Sequence, residues 1–197
     1  RGAAYTEERG NGTPTQVNST DWRQFSLEAG GLIGGGVLQA QTAVSSQDYY
    51  QTFSFVAATR ATERLTFAQT IDTSHALANG QWTRPIGRVT MIVGADYHRT
   101  ESAQDELRYA LVAGVNTPSG PFASGGTETL GAVYARASIN ASDSVTVELG
   151  GRGDMWHSEP LNPADPTKDV NFFSPRAAVA WRSGRYQAQA SAYHANR

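Results

Sequence analysis

The sequence contains no cysteine, which excludes disulfide frameworks, cysteine-ligated zinc and thiol nucleophiles. It is also poor in charge, because Asp, Glu, Lys and Arg make up only 17% of its 197 residues, against about 25% in a typical soluble domain. A formal net charge of −2, without a basic cluster, gives no reason to expect a nucleic-acid partner. No apolar run approaches the roughly 20 residues that a transmembrane helix needs.

Motifs for catalysis and cofactor binding are missing as well. There is no G-x-S-x-G nucleophile elbow. The glycine-rich segment 30–36 precedes no helix that could direct amides at a phosphate, so we interpret it as a turn. The four histidines (His75, His98, His157 and His194) lack the close spacing of metal ligands. We therefore expect no enzyme activity, no cofactor and no metal site.

Apolar residues instead recur at every second position, which is typical of β-strands. Residues 173–194 show this pattern on both sides of a Ser-Gly turn, as in a β-hairpin. Helical periodicity never persists for three turns. The sequence predicts an all-β fold with about nine strands, at approximately residues 1–9, 22–30, 37–50, 63–82, 88–99, 129–140, 144–156, 172–182 and 186–197.

The connections between these segments alternate in length. The short ones are 31–36, 84–88, 140–144 and 182–185, and the long polar ones are about 10–21, 51–62, 100–128 and 157–171. Strict alternation predicts tight turns at one end of the sheet and extended loops at the other, as in an antiparallel up-and-down transmembrane β-barrel. Residues 110–115 could form a short helix or a hairpin, and an extra strand at 107–115 would change the parity of all later strands.

The two faces of the predicted strands differ in charge. No charged residue falls on the apolar phase of the assigned runs, and eight charged or titratable residues fall on the polar phase: Glu28, Asp96, His98, Arg136, Glu148, Arg152, Arg176 and Arg182. A strand face in contact with lipid hydrocarbon would exclude charge in this way, because placing Arg or Lys there at mid-bilayer costs about 2–4 kcal/mol of folding free energy. Segment 63–82 changes phase midway, for which we predict a bulge near residues 73–75.

Aromatic residues are found near both ends of the strands. Those near the short turns are Trp82, Trp181 and Tyr186, and those near the long loops are Tyr5, Trp22, Tyr49, Tyr50, Tyr97, Trp156, Phe172 and Phe173. Residues 173 and 181 are separated by roughly 20 Å along the axis of a tilted strand, close to the ~25 Å apolar band of an outer-membrane barrel. We interpret the two groups as the aromatic belts of such a band.

The C-terminal third resembles a known family. Residues 171–197, NFFSPRAAVAWRSGRYQAQASAYHANR, contain a strand that opens with Ser-Pro-Arg, a tight turn and a strand that ends in Tyr-x-x-x-Arg. This arrangement is similar to the barrel of TonB-dependent outer-membrane receptors. Residues 145–154, VTVELGGRGD, are similar to the preceding strand of those barrels. The match at the level of motifs covers about residues 129–197.

The resemblance implies part of a larger barrel, usually of 22 strands, in the outer membrane of a bacterium. Such receptors carry a plug domain and an N-terminal TonB box, which we do not recognise in residues 1–197, so we expect a partial barrel. The implied partners are outer-membrane lipid, the TonB complex through the missing N-terminal region, and a scarce small-molecule ligand. The implied activity is energy-coupled uptake of that ligand, for example a siderophore, cobalamin or an oligosaccharide.

Ligand contacts are expected on the long loops. The candidates are Arg108 and Tyr109 in loop 100–128, and Trp156 and His157 at the start of the connection that ends near residue 171. Two alternatives remain open. A small, complete outer-membrane barrel would act as an adhesin or a passive pore, and a soluble lipocalin-like barrel would bind its ligand in an apolar interior.

Overall fold

The computed structural model describes residues 2–10 and 13–194, which form one antiparallel sheet. Its strands follow each other in sequence order, each paired with the next, so that β1 and β9 are the edges. The strands are β1 Gly2–Gly10, β2 Val17–Ile33, β3 Gly36–Val56, β4 Glu63–Ile86, β5 Val89–Val112, β6 Val115–Asn140, β7 Val145–Pro160, β8 Lys168–Ser183 and β9 Tyr186–Tyr193. These nine strands confirm the all-β, up-and-down prediction. Within the described residues, no helix is long and apolar enough to cross a membrane.

The short connections lie together at one end of the sheet, as predicted. They comprise residues 34–35, 87–88, 141–144 and 184–185. Gly34 and Gly35 both adopt positive φ, 58° and 76°, which is the backbone of a two-residue type I′ hairpin. This end of the sheet is called the turn end below. The Tyr-x-x-x-Arg ending extends into residues 195–197, which lie outside the described part of the chain.

The opposite end, called the hairpin end, differs from the prediction. The expected long loops shrink to residues 57–62, 113–114 and 161–167, and to a first connection of which residues 13–16 are described, because the strands continue well past their predicted limits. Residues 110–115 form the tip of the β5–β6 hairpin, so there is no short helix and no extra strand, and the parity holds. The prediction missed these extensions because their polar residues lie on both faces, which removes the alternation that reveals a strand.

The strand register places the apolar phase of the strands on one face, called the apolar face. One row across it runs Ala29, Ala40, Gly80, Ala95, Val133, Gly153 and Phe173. Large side chains here are exposed rather than packed in a core: Leu27 is 57% exposed, Val133 60% and Leu149 51%. Among the described residues, the buried hydrophobic side chains are all alanines: Ala43, Ala68, Ala132 and Ala178. The sheet therefore has no conventional hydrophobic core.

The other face, called the polar face, carries the predicted charged residues. Asp96, Arg136, Glu148, Arg152 and Arg176 all belong to its register rows. A hollow of about 710 Å³ opens on this face. A second hollow of about 560 Å³ lies further toward β2 on the same face. The position of these hollows indicates that the polar face is the concave one.

The predicted bulge at residues 73–75 is wrong. The β3–β4 register runs without interruption from Val37 to Phe53 and shifts only between Phe53 and Ser54. Phe67 and Ile71 instead lie on the polar-face side of the hairpin end, where the rings of Phe53 and Phe67 stack with centroids 4.1 Å apart, and Leu65 lies beyond the register shift, opposite Ser54. The apolar residues of β4 therefore lie on the polar-face side at the hairpin end and on the apolar face near the turns. The strand pairing between Phe67 and Ile86 is regular, so this change of face involves no bulge.

Charged groups also occur on the apolar face, but at its ends. Because β4 extends to Ile86, Arg84 joins this face opposite Met91, and its guanidinium lies 5.8 Å from the ring centre of Trp82. Arg99 is on the same face near the hairpin end, 3.3 Å from Glu101. Arginine at such positions can extend its head toward water while its stem covers apolar surface.

The aromatic belts are partly as predicted. Trp82, Trp181 and Tyr186 all lie on the apolar face near the turns. Toward the hairpin end, Tyr97 and Phe173 are also on this face, and Tyr50 is further out on the same side. The register places the other four on the polar face: Trp22, Tyr49, Trp156 and Phe172. The side chain of Tyr5 is outside the described set. Distance from a loop does not reveal which face an aromatic residue occupies, and for half of this belt the predicted side was wrong.

Gly94 provides a test of packing on the polar face. A Cβ at this position would overlap the ring of Tyr134 and lie 2.7 Å from the carbonyl oxygen of Gly80. We expect Gly94→Ala to lower the free energy of unfolding of the full-length protein by about 1–3 kcal/mol, the usual effect of overpacking. The measurement is the urea unfolding midpoint. Gly153→Ala is the matched control, since a Cβ there meets nothing within 4 Å; equal midpoints for the two variants would contradict the packing.

Candidate functional site

An ion-pair cluster occupies the middle of the polar face. Arg152 of β7 donates from Nε to Asp154 Oδ1 at 2.8 Å and also pairs through Nη1 with Asp96 of β5. The residue between the two carboxylates is Ala132 of β6, which is 3% exposed. Because this alanine is so small, the arginine can span an entire strand. Asp154 itself is only 6% exposed, so it depends on this partner.

Hydrogen bonds between neutral side chains extend this cluster across the sheet. The Tyr134 ring lies over Gly94, and its hydroxyl donates to Gln81 Oε1 of β4 at 3.3 Å. Asn79 Nδ2 then donates to Gln41 Oε1 of β3 at 3.4 Å. Polar side-chain contacts are therefore found on every strand from β3 to β7. The arrangement can bind polar groups in a hydrated hollow, and it contains no pairing of a nucleophile with a base.

Two further arginines line the same 710 Å³ hollow on the side of the turn end. Arg176 of β8 approaches Glu148, with Nη2 and Oε2 3.7 Å apart, and Arg136 of β6 lies two strands away in the row of Arg176, with Gly150 of β7 between them. The lining of the hollow thus carries three arginines, Arg136, Arg152 and Arg176, and one carboxylate, Asp96. Because Asp154 and Glu148 also pair with Arg152 and Arg176, the three arginines are balanced by three carboxylates, and the hollow suits a strongly polar contact surface.

A second cluster lies at the hairpin end, where β5 and β6 extend far beyond the turns. Arg108 donates to Glu106 at 2.5 Å, and its guanidinium lies 4.5 Å from the ring centre of Phe122. The register sets Arg108 directly opposite Phe67, one ring of the stacked Phe53–Phe67 pair. These residues share the side of the polar face. The cluster combines a cation with three aromatic rings, which suits recognition of planar or anionic groups.

The four sequence-predicted binding residues do not come together. Arg108 and Tyr109 are adjacent in β5, not in a loop, and therefore point to opposite faces. Trp156 and His157 are likewise adjacent in β7, with Trp156 on the polar face and His157 on the apolar face, where its Nδ1 lies 2.7 Å from Asp169 Oδ1. Trp156 lies level with His98, ten residues before Arg108, which is roughly 33 Å along the strand.

Sequence reasoning placed Asp96 and Arg152 on the polar phase but did not identify them as partners. It did not single out Asp154, Tyr134, Gln81, Glu106 or Phe122. A period-2 pattern assigns a residue to a face and says nothing about which residue of a neighbouring strand lies beside it. That information is in the register, and no local signal in this sequence pairs residues such as Asp96 and Arg152, which are 56 positions apart.

A polar knot joins the 13–16 connection to β3 and β4 at the hairpin end. Glu63 accepts hydrogen bonds from Thr15 Oγ1 and Ser54 Oγ, both at 2.5 Å. Thr52, only 4% exposed, accepts from the amide of Val17 at 2.9 Å. Partial desolvation acts to raise the pKa of the Glu63 carboxyl, but the hydroxyl donors outweigh it and the net pKa is below its usual value.

The geometry first defines a class of protein. A meander of long antiparallel strands, apolar and exposed on one face, polar and hollowed on the other, is the wall of an outer-membrane type β-barrel. Comparison with known families then gives the identity. Residues 2–194 match the model described as TonB dependent receptor-like, beta-barrel, and the chain belongs to this family. No curated relative matches the sequence.

Solved structures agree with this assignment at the level of the fold. The pyoverdine outer membrane receptor FpvA from Pseudomonas aeruginosa PAO1 superposes with a TM-score of 0.72 at 15% identity, over 89% of this chain and 29% of that receptor. The copper transporter OprC gives 0.69 at 12% identity, over 91% and 30%. BauA, the ferric preacinetobactin receptor of Acinetobacter baumannii, gives 0.58 at 15%, over 86% and 29%. The chain therefore spans under a third of the length of each.

Glu63 leads to a pH-dependent prediction. Position 63 is 23 residues from the β4 turn, roughly 58 Å along a barrel axis, well outside a ~25 Å apolar band. Because its pKa is lowered on folding, Glu63 stabilises the knot fully above about pH 4.5 and loses this contribution as the pH falls through the lowered pKa. We expect amide exchange across residues 13–17, corrected for intrinsic rates, to accelerate below that pH.

Glu63→Gln should weaken protection at neutral pH and abolish its pH dependence. The measurement is hydrogen–deuterium exchange by mass spectrometry on the full-length protein. Glu101→Gln is the control, since Glu101 pairs with Arg99 and takes no part in the knot. The assignment fails if wild type and Glu63→Gln show the same dependence on pH.

Proposed function

We propose that this chain forms part of the barrel wall of a TonB-dependent receptor that takes up a scarce ligand across the bacterial outer membrane. The observation that carries the proposal is the division of the sheet into an exposed apolar face and a hollowed, charged polar face. In this proposal hydrocarbon contacts the apolar face, and the polar face lines the barrel interior.

The same division supports roles for the remaining parts. β4, β5 and β6 contain 24, 24 and 26 residues, and a 24-residue strand spans roughly 60 Å along a tilted barrel axis. Their hairpin ends thus extend beyond the membrane and are suited to capturing a ligand from outside the cell. The charged hollow is suited to contact a plug domain elsewhere in the whole protein, through which the TonB complex would transmit energy.

A ferric siderophore is the ligand class that we favour. FpvA and BauA are described as receptors for a pyoverdine and for ferric preacinetobactin. In this chain the hairpin-end cluster of Arg108, Phe67 and Phe122 would contact anionic and aromatic groups of such a chelate. Tyr109, Trp156 and His157 stay predictions as ligand contacts, with Trp156 the best placed of them because it is on the polar face.

The two alternatives have less support. A lipocalin-like barrel would line its interior with the apolar residues, whereas here the hollows open on the polar face. A small complete barrel predicts eight closed strands, whereas the described residues form nine strands with β1 and β9 at the edges of the sheet. Family membership also favours a receptor over an adhesin or a passive pore.

The orientation in the membrane can be tested with one pair of arginine substitutions. Leu149, on the apolar face between Ala137 and Ala177, lies near the middle of the proposed apolar band. We expect Leu149→Arg to cost about 2–4 kcal/mol and to reduce membrane assembly strongly. Ser138→Arg is the matched control, because Ser138 is on the polar face opposite Glu148, one row away. The readout is the heat-modifiable gel shift of the full-length receptor; equal assembly of both variants would refute the orientation.

Uptake itself can be tested with full-length receptor in a strain lacking its own siderophore receptors. From a panel of ⁵⁵Fe-loaded siderophores, we expect uptake of at least one, abolished by a protonophore. Arg108→Ala should weaken binding of that siderophore about tenfold, because it removes the cation of the hairpin-end cluster. Arg99→Ala, on the opposite face, should not. Uptake that continues without proton-motive force would contradict energy coupling, and no uptake of any panel member would contradict the ligand class.

A further inference from the structure

Two of the four histidines are neighbours on the polar face, although their spacing in the sequence gave no indication of it. His75 is on β4 and His98 on β5, and the register sets them diagonally across the strand pair, His75 opposite Thr100 and His98 opposite Leu77. Their ring centres are 6.4 Å apart, with the ring planes inclined by 58°. Two hydrogen-bonded central strands hold the backbone of the pair in this register.

One ring nitrogen of His75 is already engaged. Its Nδ1 lies 2.6 Å from Thr100 Oγ1, which orients the ring and leaves Nε2 as the nitrogen available to a ligand. A hydrogen bond to the second nitrogen is the usual way in which proteins orient a metal-ligating imidazole. Within the described part of the chain, neither nitrogen of His98 makes a hydrogen bond.

The separation of the rings suits a shared metal ion. With metal–nitrogen bonds of about 2.0–2.1 Å, two imidazole centres on one ion lie at most about 6.5 Å apart, and less when the angle at the metal narrows. The observed 6.4 Å is at the upper end of this range, where the two nitrogens lie on opposite sides of the ion, and rotation of either side chain would bring the ring centres closer. We propose that His75 and His98 form a two-imidazole site for a divalent transition-metal ion, with Cu²⁺ the tightest bound in the first-row series.

The surroundings indicate weak, exchangeable binding. Asp96 is the nearest carboxylate along β5, but Arg152 holds it, and no group of three or more His, Asp or Glu side chains forms a metal cluster among the described residues. Other coordination positions are left to water or to groups carried by the ion. His98 is nine residues from the β5 turn, roughly 23 Å along the axis, at the hairpin-end limit of the apolar band and level with Tyr97.

A site at this position would meet an ion that passes from the hairpins into the hollow. The inference goes beyond the proposed uptake function and does not depend on which ligand is transported. It requires only that the polar face be reachable from outside the cell, and metal binding can be measured without transport.

The experiment uses full-length receptor, purified in detergent without a histidine tag, and CuCl₂ as the probe. Equilibrium dialysis should show one tightest Cu²⁺ site per receptor, with nitrogen superhyperfine structure in the electron paramagnetic resonance spectrum. His75→Ala and His98→Ala should each weaken that site at least about tenfold, and the double variant should be little worse than either, because both rings serve one ion. His194→Ala is the control, since His194 lies in the hollow nearer the turn end.

Folding of each variant is checked by its heat-modifiable gel shift, and His98→Gln repeats the test with a polar side chain of similar size. Copper binding by His75→Ala and His98→Ala that equals wild type overturns the proposal. An equal loss in His194→Ala also overturns it, because the effect would then not belong to the pair. Loss of the copper site with normal siderophore uptake would leave the proposed function intact, and failed uptake with an intact copper site would leave this inference intact.

Discussion

Every strand of this sheet meets two different environments through alternate side chains, and the rest of the structure depends on that constraint. Backbone groups are satisfied between neighbouring strands, so nothing but the side chains distinguishes the two faces. On the apolar face Leu27, Val133 and Leu149 are exposed, which water would disfavour over so large an area and hydrocarbon would not. An exposed apolar face of this kind explains why the sheet has no packed core. It also explains the abundance of alanine and glycine, since a face in contact with hydrocarbon needs no interlocking side chains.

The polar face uses small residues for a different purpose. Ala132 leaves room for Arg152 to reach both Asp96 and Asp154, and Gly94 lets the Tyr134 ring lie flat enough to reach Gln81. The Arg152–Asp96 and Tyr134–Gln81 contacts cross from one strand to another, so together they resist shear between strands that backbone hydrogen bonds alone would permit. Ion pairs of this kind remain partly hydrated in a hollow, which keeps their desolvation cost below that of a buried pair.

The hairpin end shows how one strand can change its function along its length. Near the turns, β4 contributes Ala78 and Trp82 to the apolar face; further out it contributes Phe67 to the cluster with Phe53 and Arg108. No bulge is needed, because the environment changes around a continuous backbone. Side chains in these extensions can thus vary while the strands keep their alternation near the turns, and Glu63 anchors the 13–16 connection to β3 and β4.

The sequence by itself determined the all-β secondary structure, the parity of the strands, the face of the eight charged or titratable residues assigned to the polar phase, and the family resemblance, because a period of two is a local property of the chain. It did not reveal how far the strands extend at the hairpin end, since polar residues on both faces leave no alternation to read. Tertiary structure alone decided the partners: Arg152 with Asp96, and His75 beside His98. Those pairings depend on register, which backbone hydrogen bonds between distant segments establish.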